Sequence, residues 1–118
     1  MQANKIYLNA LALLGYSDTE KTRQNAITII NSVYLDVALA LGKASNITRV
    51  GTLNGEINLP ENMCASIMTL GVAEKLSVLQ GDIELEQYYA QCYANARARL
   101  SYTDSIIDVL PGGTKYGA

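Results

Sequence analysis

The chain carries few residue types that perform catalysis, and they are poorly spaced for it. It contains no histidine, so the commonest general base and the commonest neutral metal ligand are both absent. Its two cysteines, Cys64 and Cys92, are too few for a four-ligand zinc site, and no glycine-rich segment matches a phosphate-binding loop. Glu84 and Glu86 are two residues apart and point to different sides of a helix, which favours a dipole-stabilised first turn over an acid–base pair. The sequence therefore predicts a protein that is not an enzyme and that holds no cofactor or metal ion.

Composition restricts the remaining function classes. Of the 118 residues, 49% are hydrophobic and 17% are charged, which is typical of a single globular domain. Nine basic residues are scattered among eleven acidic ones, so the sequence lacks the concentrated positive charge of a strong nucleic-acid-binding surface. No stretch is long and uncharged enough to cross a membrane, and the start lacks the basic-then-apolar order of a signal peptide. We expect a soluble protein that acts by binding other macromolecules.

Two helices are predicted in the first third of the chain. The first extends from Ala3 to Leu14, because apolar residues recur at the three-and-four spacing of one helical face, and Gly15 ends it. The sequence Ser17-Asp-Thr-Glu20 has the form of a capping box for the second helix, which extends to about Leu41.

The segment 43–58 breaks the helical pattern. Residues 50–53 and 56–59 flank Asn54-Gly55, a dipeptide that favours a type I′ turn, so the sequence predicts a short β-hairpin or an extended loop. An isolated hairpin is marginal in water, so this loop needs support from the body of the domain or from a neighbouring subunit. Arg49, Asn54 and Gly55 are the residues of the loop that we expect to meet a partner.

Two further helices complete the predicted domain. Pro60 fits the first turn of the third helix, which ends near Gly81. Asp82 caps the fourth helix, which continues to about Tyr102, and residues 105–110 follow as a short apolar segment. The predicted fold is therefore mainly α: a small four-helix domain over residues 1–110, with a hairpin loop at about 43–58 and a flexible C-terminal arm at 111–118.

Two uncharged surfaces are predicted to make contacts. Small and polar residues form an arc without charge on the third helix, which indicates close packing inside the domain or against another subunit. On the second helix, an apolar pair lies almost opposite the main apolar stripe and needs its own partners. These features give the predicted subunit interface: Leu35, Leu39, Ser66, Thr69, Ala73 and Ser77. In the arm, Lys115 and Tyr116 offer a charge and an aromatic anchor to a partner.

A helix-turn-helix DNA-binding regulator is the alternative interpretation. After a turn, Lys21, Arg23, Gln24 and Asn25 lie at the start of the second helix, in the order of a recognition helix. Against this interpretation, the second helix is about twice the usual recognition length, acidic residues crowd the turn, and the basic residues do not continue along one face.

The order of several segments resembles that of the head–tail connector, or adaptor, proteins of tailed bacteriophages. After two N-terminal helices and a loop come Ile57-Asn-Leu-Pro60, Leu70-Gly-Val-Ala-Glu-Lys-Leu, Gln80-Gly-Asp82 and a tyrosine-rich last helix with Tyr88-Tyr89 and Tyr93. The resemblance covers about residues 3–110 and rests on the order and length of these segments rather than on one diagnostic motif.

The resemblance implies a structural protein of the phage particle. Such adaptors are helical subunits that assemble into a homo-oligomeric ring, typically of about twelve copies, beneath the portal protein, and they present a surface to stopper or tail-completion proteins. DNA passes through the ring without specific binding, which suits a formal net charge of −2, because a wall that repels phosphate lets DNA slide. The expected location is the head–tail interface of the virion, and the host bacterial cytoplasm during assembly.

Deleting residues 111–118 should leave the thermal midpoint of the isolated subunit nearly unchanged, because the arm has few apolar residues to bury and two adjacent glycines that are costly to order. The same deletion should weaken association with the portal ring or the next tail component, measured by co-sedimentation. Unchanged association would show that the arm has no docking role. A large loss of thermal stability would show that the arm packs on its own domain.

Overall fold

The computed structural model describes the backbone of residues 1–109 and the side chains of residues 1–100. This part folds into four helices: α1 at Ala3–Leu14, α2 at Glu20–Ala40, α3 at residues 61–80 and α4 at Ile83–Val109. The central helix is α3, which packs mainly against α4 and α1 and also contacts α2. The prediction of a mainly helical fold is confirmed, whereas the predicted arm at 111–118 lies outside the described residues.

The bounds of α1 agree with the prediction from its apolar spacing. Its core face consists of six buried residues: Ala3, Ile6, Tyr7, Ala10, Leu11 and Leu14. Gly15 ends the helix with a φ of 71°, a left-handed conformation that glycine adopts without steric cost, and its amide donates to the carbonyl of Ala12.

The start of α2 differs from the prediction. Thr19, and not Ser17, is the cap: its hydroxyl accepts a hydrogen bond from the Thr22 amide, and the Thr22 hydroxyl accepts one from the Thr19 amide. The cause is a tertiary contact. The Tyr7 hydroxyl donates to the Asp18 carboxylate at 2.7 Å and shares a hydrogen bond with the Thr22 hydroxyl at 2.8 Å, which holds Asp18 outside the helix.

Helix α3 is continuous but not uniform. It consists of an α-helical turn at Glu61–Met63, a π-helical stretch at Cys64–Met68 and an α-helix at Thr69–Gln80. The Thr69 hydroxyl donates to the carbonyl of Cys64 at 2.9 Å, five residues earlier, which fits the wider π turn. Gly81 ends the helix with a φ of 70°. The sequence predicted this helix but not its π stretch.

Helix α4 is longer than predicted. Asp82 caps it, because the Asp82 carboxylate accepts a hydrogen bond from the Leu85 amide at 3.2 Å. The prediction ended this helix near Tyr102 and treated residues 105–110 separately, whereas the helix continues to Val109. No glycine or proline occurs between Asp82 and Pro111, so no residue in this stretch breaks the helix.

The loop between α2 and α3 pairs with the start of the chain. Among the described residues, the strand-like pairing consists of an isolated bridge between residues 2 and 56. The carbonyls of Gly55 and Leu53 accept hydrogen bonds from the amides of Ala3 and Asn4, both at 2.8 Å. First-turn amides have no partner within their own helix, so the loop caps α1 in place of a side chain. The segment is therefore an extended loop and not a hairpin.

The predicted type I′ turn at Asn54-Gly55 is wrong. Neither residue has a positive φ, and the turn closes instead through a hydrogen bond from the Gly55 amide to the Thr52 carbonyl at 3.0 Å. A Cβ atom on Gly55 would lie 2.8 Å from the side chain of Val50. Glycine is therefore needed here because of space and not because of backbone conformation.

A buried asparagine ties the loop to α2. The Asn31 side chain donates to the carbonyl of Val50 and accepts from its amide, both at 2.9 Å. One turn further along, the Tyr34 hydroxyl accepts a hydrogen bond from the Asn58 amide at 2.8 Å. Val50 and Ile57 are buried in the core. The body of the domain, one of the two sources of support that the sequence left open, therefore holds this loop.

We expect Asn31→Ala to lower the free energy of unfolding by about 2 to 4 kcal/mol, because it leaves the buried amide and carbonyl of Val50 without partners. Urea unfolding followed by circular dichroism measures this change. The matched control is Asn54→Ala, an exposed asparagine in the same loop, which should change stability by less than about 0.5 kcal/mol. Equal effects of the two substitutions would contradict the role assigned to Asn31.

Candidate functional site

The described residues form no recognisable metal centre. They contain no group of three or more His, Cys, Asp or Glu side chains that could hold a metal ion. Cys64 is buried, Cys92 is half-buried and both are free; burial raises the pKa of the Cys64 thiol. Among the described helices, none combines the length and the apolar character needed to cross a membrane. Exposed apolar side chains are present on the described helices, among them Leu35 and Leu39 of α2.

The outer face of α2 exposes two leucines one helical turn apart. Leu35 is 49% exposed and Leu39 is 56% exposed. They border a groove of about 360 Å³, which also includes the buried Val33 and the exposed Lys75 of α3. Leucines at this spacing form a continuous apolar strip on a helix surface. We call Leu35 and Leu39 the α2 ridge; both belong to the predicted subunit interface.

A polar cluster beside the ridge joins α2 to α4. The Tyr93 hydroxyl donates to the Asp36 carboxylate at 2.5 Å, and Nε of Arg97 donates to the same carboxylate oxygen at 2.9 Å. Burial, together with the hydrogen bond to Asp36, raises the pKa of Tyr93 far above its usual value. The phenol therefore stays neutral at physiological pH and remains a hydrogen-bond donor to Asp36.

The cluster depends on a glycine in α3. A Cβ atom on Gly71 would lie 2.6 Å from Cγ1 of Val33 and 2.8 Å from Cε1 of Tyr93. Real Cβ atoms do not approach other atoms this closely, so only glycine lets the α2 and α4 side chains meet over the backbone of α3. Gly71 thereby sets the position from which Tyr93 reaches Asp36.

A second groove lies on the other side of the α2 ridge. Its volume is about 430 Å³, and it is bordered by Leu35, Thr28 and Tyr34 of α2 and by Ile47 and Arg49 of the loop. Ser32 and Leu35 line both grooves, so the two grooves adjoin at this part of α2. Arg49 is exposed, as expected for a partner-binding residue of the loop.

Comparisons with protein-family models, with curated proteins and with solved structures find no match for this chain.

Of the other predicted partner-binding residues, Asn54 is exposed and Gly55 is half-buried in its turn. Lys115 and Tyr116 lie outside the described residues.

The small-residue arc of α3 is mostly internal. Thr69 is 3% exposed, and Ala73 and Ser77 are completely buried, because α3 is surrounded by the three other helices. These three residues are therefore unavailable to a neighbouring subunit, which corrects that part of the predicted interface. Ser66 is exposed, and its hydroxyl donates to the carbonyl of Asn62 at 2.6 Å.

Three of the four side chains at the start of α2 that favoured a recognition helix, those of Arg23, Gln24 and Asn25, form bonds within the domain, whereas Lys21 is exposed. Arg23 pairs with Asp18, and this bond is the main cause of the lowered pKa of Asp18. The side chain of Gln24 donates to Glu20 at 3.1 Å, and that of Asn25 donates to a backbone carbonyl one turn earlier at 2.8 Å. A recognition helix uses such groups on base edges. Their internal bonds weigh against the helix-turn-helix alternative.

The sequence patterns did not identify the cluster of Asp36, Tyr93 and Arg97. One signal was present: Asn31 and Asp36 interrupt the most apolar segment of the chain, residues 26–41. A polar side chain within such a segment generally has a hydrogen-bond partner if it is buried. Asp36 and Tyr93 are 57 residues apart, so helical periodicity does not reveal that they are partners.

We expect Gly71→Ala to destabilise the domain by up to about 2 kcal/mol, because overpacking costs about 1 to 3 kcal/mol and is offset by a gain of about 1 kcal/mol in helix propensity. Displacement of Tyr93 from Asp36 should also lower the pKa of this phenol, measured by ultraviolet absorbance during alkaline titration. The matched control is Gly51→Ala, where a Cβ atom would meet nothing within 4 Å. An unchanged tyrosine titration in Gly71→Ala would contradict the proposed dependence of the cluster on this glycine.

Proposed function

We propose that this chain is a structural head–tail connector, or adaptor, of a tailed bacteriophage. In this role it forms a homo-oligomeric ring beneath the portal protein, extends the DNA channel and links the head to stopper or tail-completion proteins. Its location is the head–tail interface of the virion, and the host cytoplasm during assembly. It acts by binding and not by catalysis.

The α2 ridge is the observation that carries this proposal. Leu35 and Leu39 are about half exposed on the longest helix whose side chains are all described, and they lie beside a cluster that fixes α2 against α4. An apolar strip on a rigid helix costs little conformational entropy when a partner covers it. The ridge is therefore well suited to a permanent contact between subunits.

A ring requires a second, different surface for each ridge to contact, because head-to-tail association joins unlike faces. Val78 and Ile83 flank the turn at Gly81 and are 50% and 65% exposed, with the exposed Glu84 next in sequence. At the ridge, the groove carries Lys75, for which the described side chains provide no ion pair. The apolar surface beside the Glu84 carboxylate therefore complements the apolar α2 ridge beside the Lys75 ammonium group.

We expect the purified wild-type chain to co-purify with the portal protein encoded by the same genome and to form a ring visible by electron microscopy. The double variant Leu35→Glu/Leu39→Glu should fail to form the ring and should keep the wild-type circular dichroism spectrum and thermal midpoint. The reason is that charge on the ridge disfavours its desolvation in the interface but changes nothing inside the monomer.

The matched control is Leu8→Glu/Leu13→Glu, since these leucines of α1 are exposed to a similar extent, 44% and 48%. The control should form the ring. A ring from the ridge variant would show that another surface joins the subunits. Failure of the wild-type chain to bind the portal would contradict the adaptor function itself.

Binding to duplex DNA distinguishes the adaptor from the helix-turn-helix alternative. A regulator that contacts six or more phosphates loses about a thousandfold in affinity between 50 and 200 mM salt, whereas an adaptor should show no specific complex at either salt concentration. Gel-shift titration with the DNA that flanks the gene measures this difference. A specific complex that depends on Arg23 would favour the regulator.

A further inference from the structure

The side of α4 away from Asp36 forms a groove with the first half of α3. This groove has a volume of about 390 Å³ and is separate from the grooves beside the α2 ridge. Its lining includes Met63, Ser66 and Leu70 from α3 and Ala96 and Arg99 from α4. We call it the α3–α4 groove. Of the predicted subunit-interface residues, Ser66 lines this groove, whereas Leu35 and Leu39 do not.

The two arginines of α4, Arg97 and Arg99, lie on opposite sides of the helix. Arg97 and Arg99 are two residues apart, so their side chains leave the helix about 200° apart. Arg97 pairs with Asp36, whereas Arg99 forms no ion pair with any described side chain and is exposed at the edge of the α3–α4 groove. The groove therefore carries a positive charge that the described part of the domain does not neutralise.

The floor of the groove is largely apolar, and Ser66 and Ile67 of its α3 wall belong to the π-helical stretch. Met63, Leu70 and Ala96 are half-buried, and Ile67 beneath them is 2% exposed. The Ser66 hydroxyl donates to the backbone carbonyl of Asn62 at 2.6 Å, so this short side chain leaves the groove open. π-helical turns are uncommon and recur at functional sites.

An aromatic residue continues the same side of α4. Tyr88 lies eleven residues before Arg99, which places it on the same side of the helix about 16 Å away along its axis. Tyr88 is 61% exposed. Its ring is held edge-on against the mostly buried Tyr89, with ring centroids 4.9 Å apart and planes at 84°. Because the Tyr88 ring is held in place about 16 Å from Arg99, a bound peptide of several residues would reach both side chains.

We propose that the α3–α4 groove binds a peptide segment of a partner protein that presents apolar side chains to the floor and a carboxylate to Arg99. Charge complementarity selects this occupant: a guanidinium beside an apolar surface binds a carboxylate through two parallel hydrogen bonds and repels a cationic segment. The chain's own residues 111–118 carry Lys115 and no acidic side chain, so they offer Arg99 no side-chain carboxylate.

The experiment is a selection of random twelve-residue peptides displayed on yeast against the full-length chain. Recovered peptides should combine apolar residues with aspartate or glutamate. In fluorescence anisotropy, Arg99→Gln should weaken their binding at least about tenfold, since a charge-assisted hydrogen bond contributes more than about 1.4 kcal/mol. Lys5→Gln is the control, an exposed basic residue of α1 that does not line the groove, and should bind like wild type.

Backbone amide shifts in nuclear magnetic resonance spectra locate the bound peptide. Changes at Ser66, Leu70 and Ala96 support the proposal. It is overturned if no peptide is recovered, if the peptides lack acidic residues, if Arg99→Gln binds as well as wild type, or if the shifts fall elsewhere. Shifts at the same residues that grow with protein concentration alone and vanish in Arg99→Gln would identify a second copy as the occupant and also overturn it.

Discussion

The close approach of three helices at Gly71 is the constraint on which the rest of the structure depends. Val33 of α2 and Tyr93 of α4 meet over a backbone position that has no side chain, and this contact brings the Tyr93 hydroxyl to Asp36. Helices approach this closely only where a residue without a side chain lies at the crossing. The hydrogen bond and the packing therefore reinforce each other, and α2 is held with Leu35 facing outward.

The α2 ridge and the α3–α4 groove differ in charge, because Arg97 of α4 has an acidic partner and Arg99 has none among the described side chains. On the α2 side, Arg97 neutralises Asp36 and leaves an apolar ridge suited to a permanent contact. On the α3 side, Arg99 has no described acidic partner and lies beside an apolar groove. The proposed subunit contact and the proposed peptide site therefore lie on different surfaces.

Local sequence patterns predicted most of the secondary structure. The bounds of α1 and its buried stripe followed from apolar spacing, and the helix ends at Gly15 and Gly81 followed from the ease with which glycine adopts positive φ. The exposed Leu35 and Leu39 were also identified, because they lie opposite the main stripe of one helix. Each of these features depends on residues within a few turns of one another, so a single sequence contains the information needed.

Only the tertiary structure decided which of the predicted caps and turns form and which helix faces are buried. Asp18 is drawn to Tyr7, so the cap moves to Thr19, and the loop pairs with the start of the chain instead of folding back on itself. The arc of small residues on α3 gave no indication whether its partner lay inside or outside the domain. The sequence by itself determined where helices form and which of their sides are apolar. The fold determined the pairing of those sides, because contacts between residues as far apart as Asp36 and Tyr93 depend on how whole helices pack together.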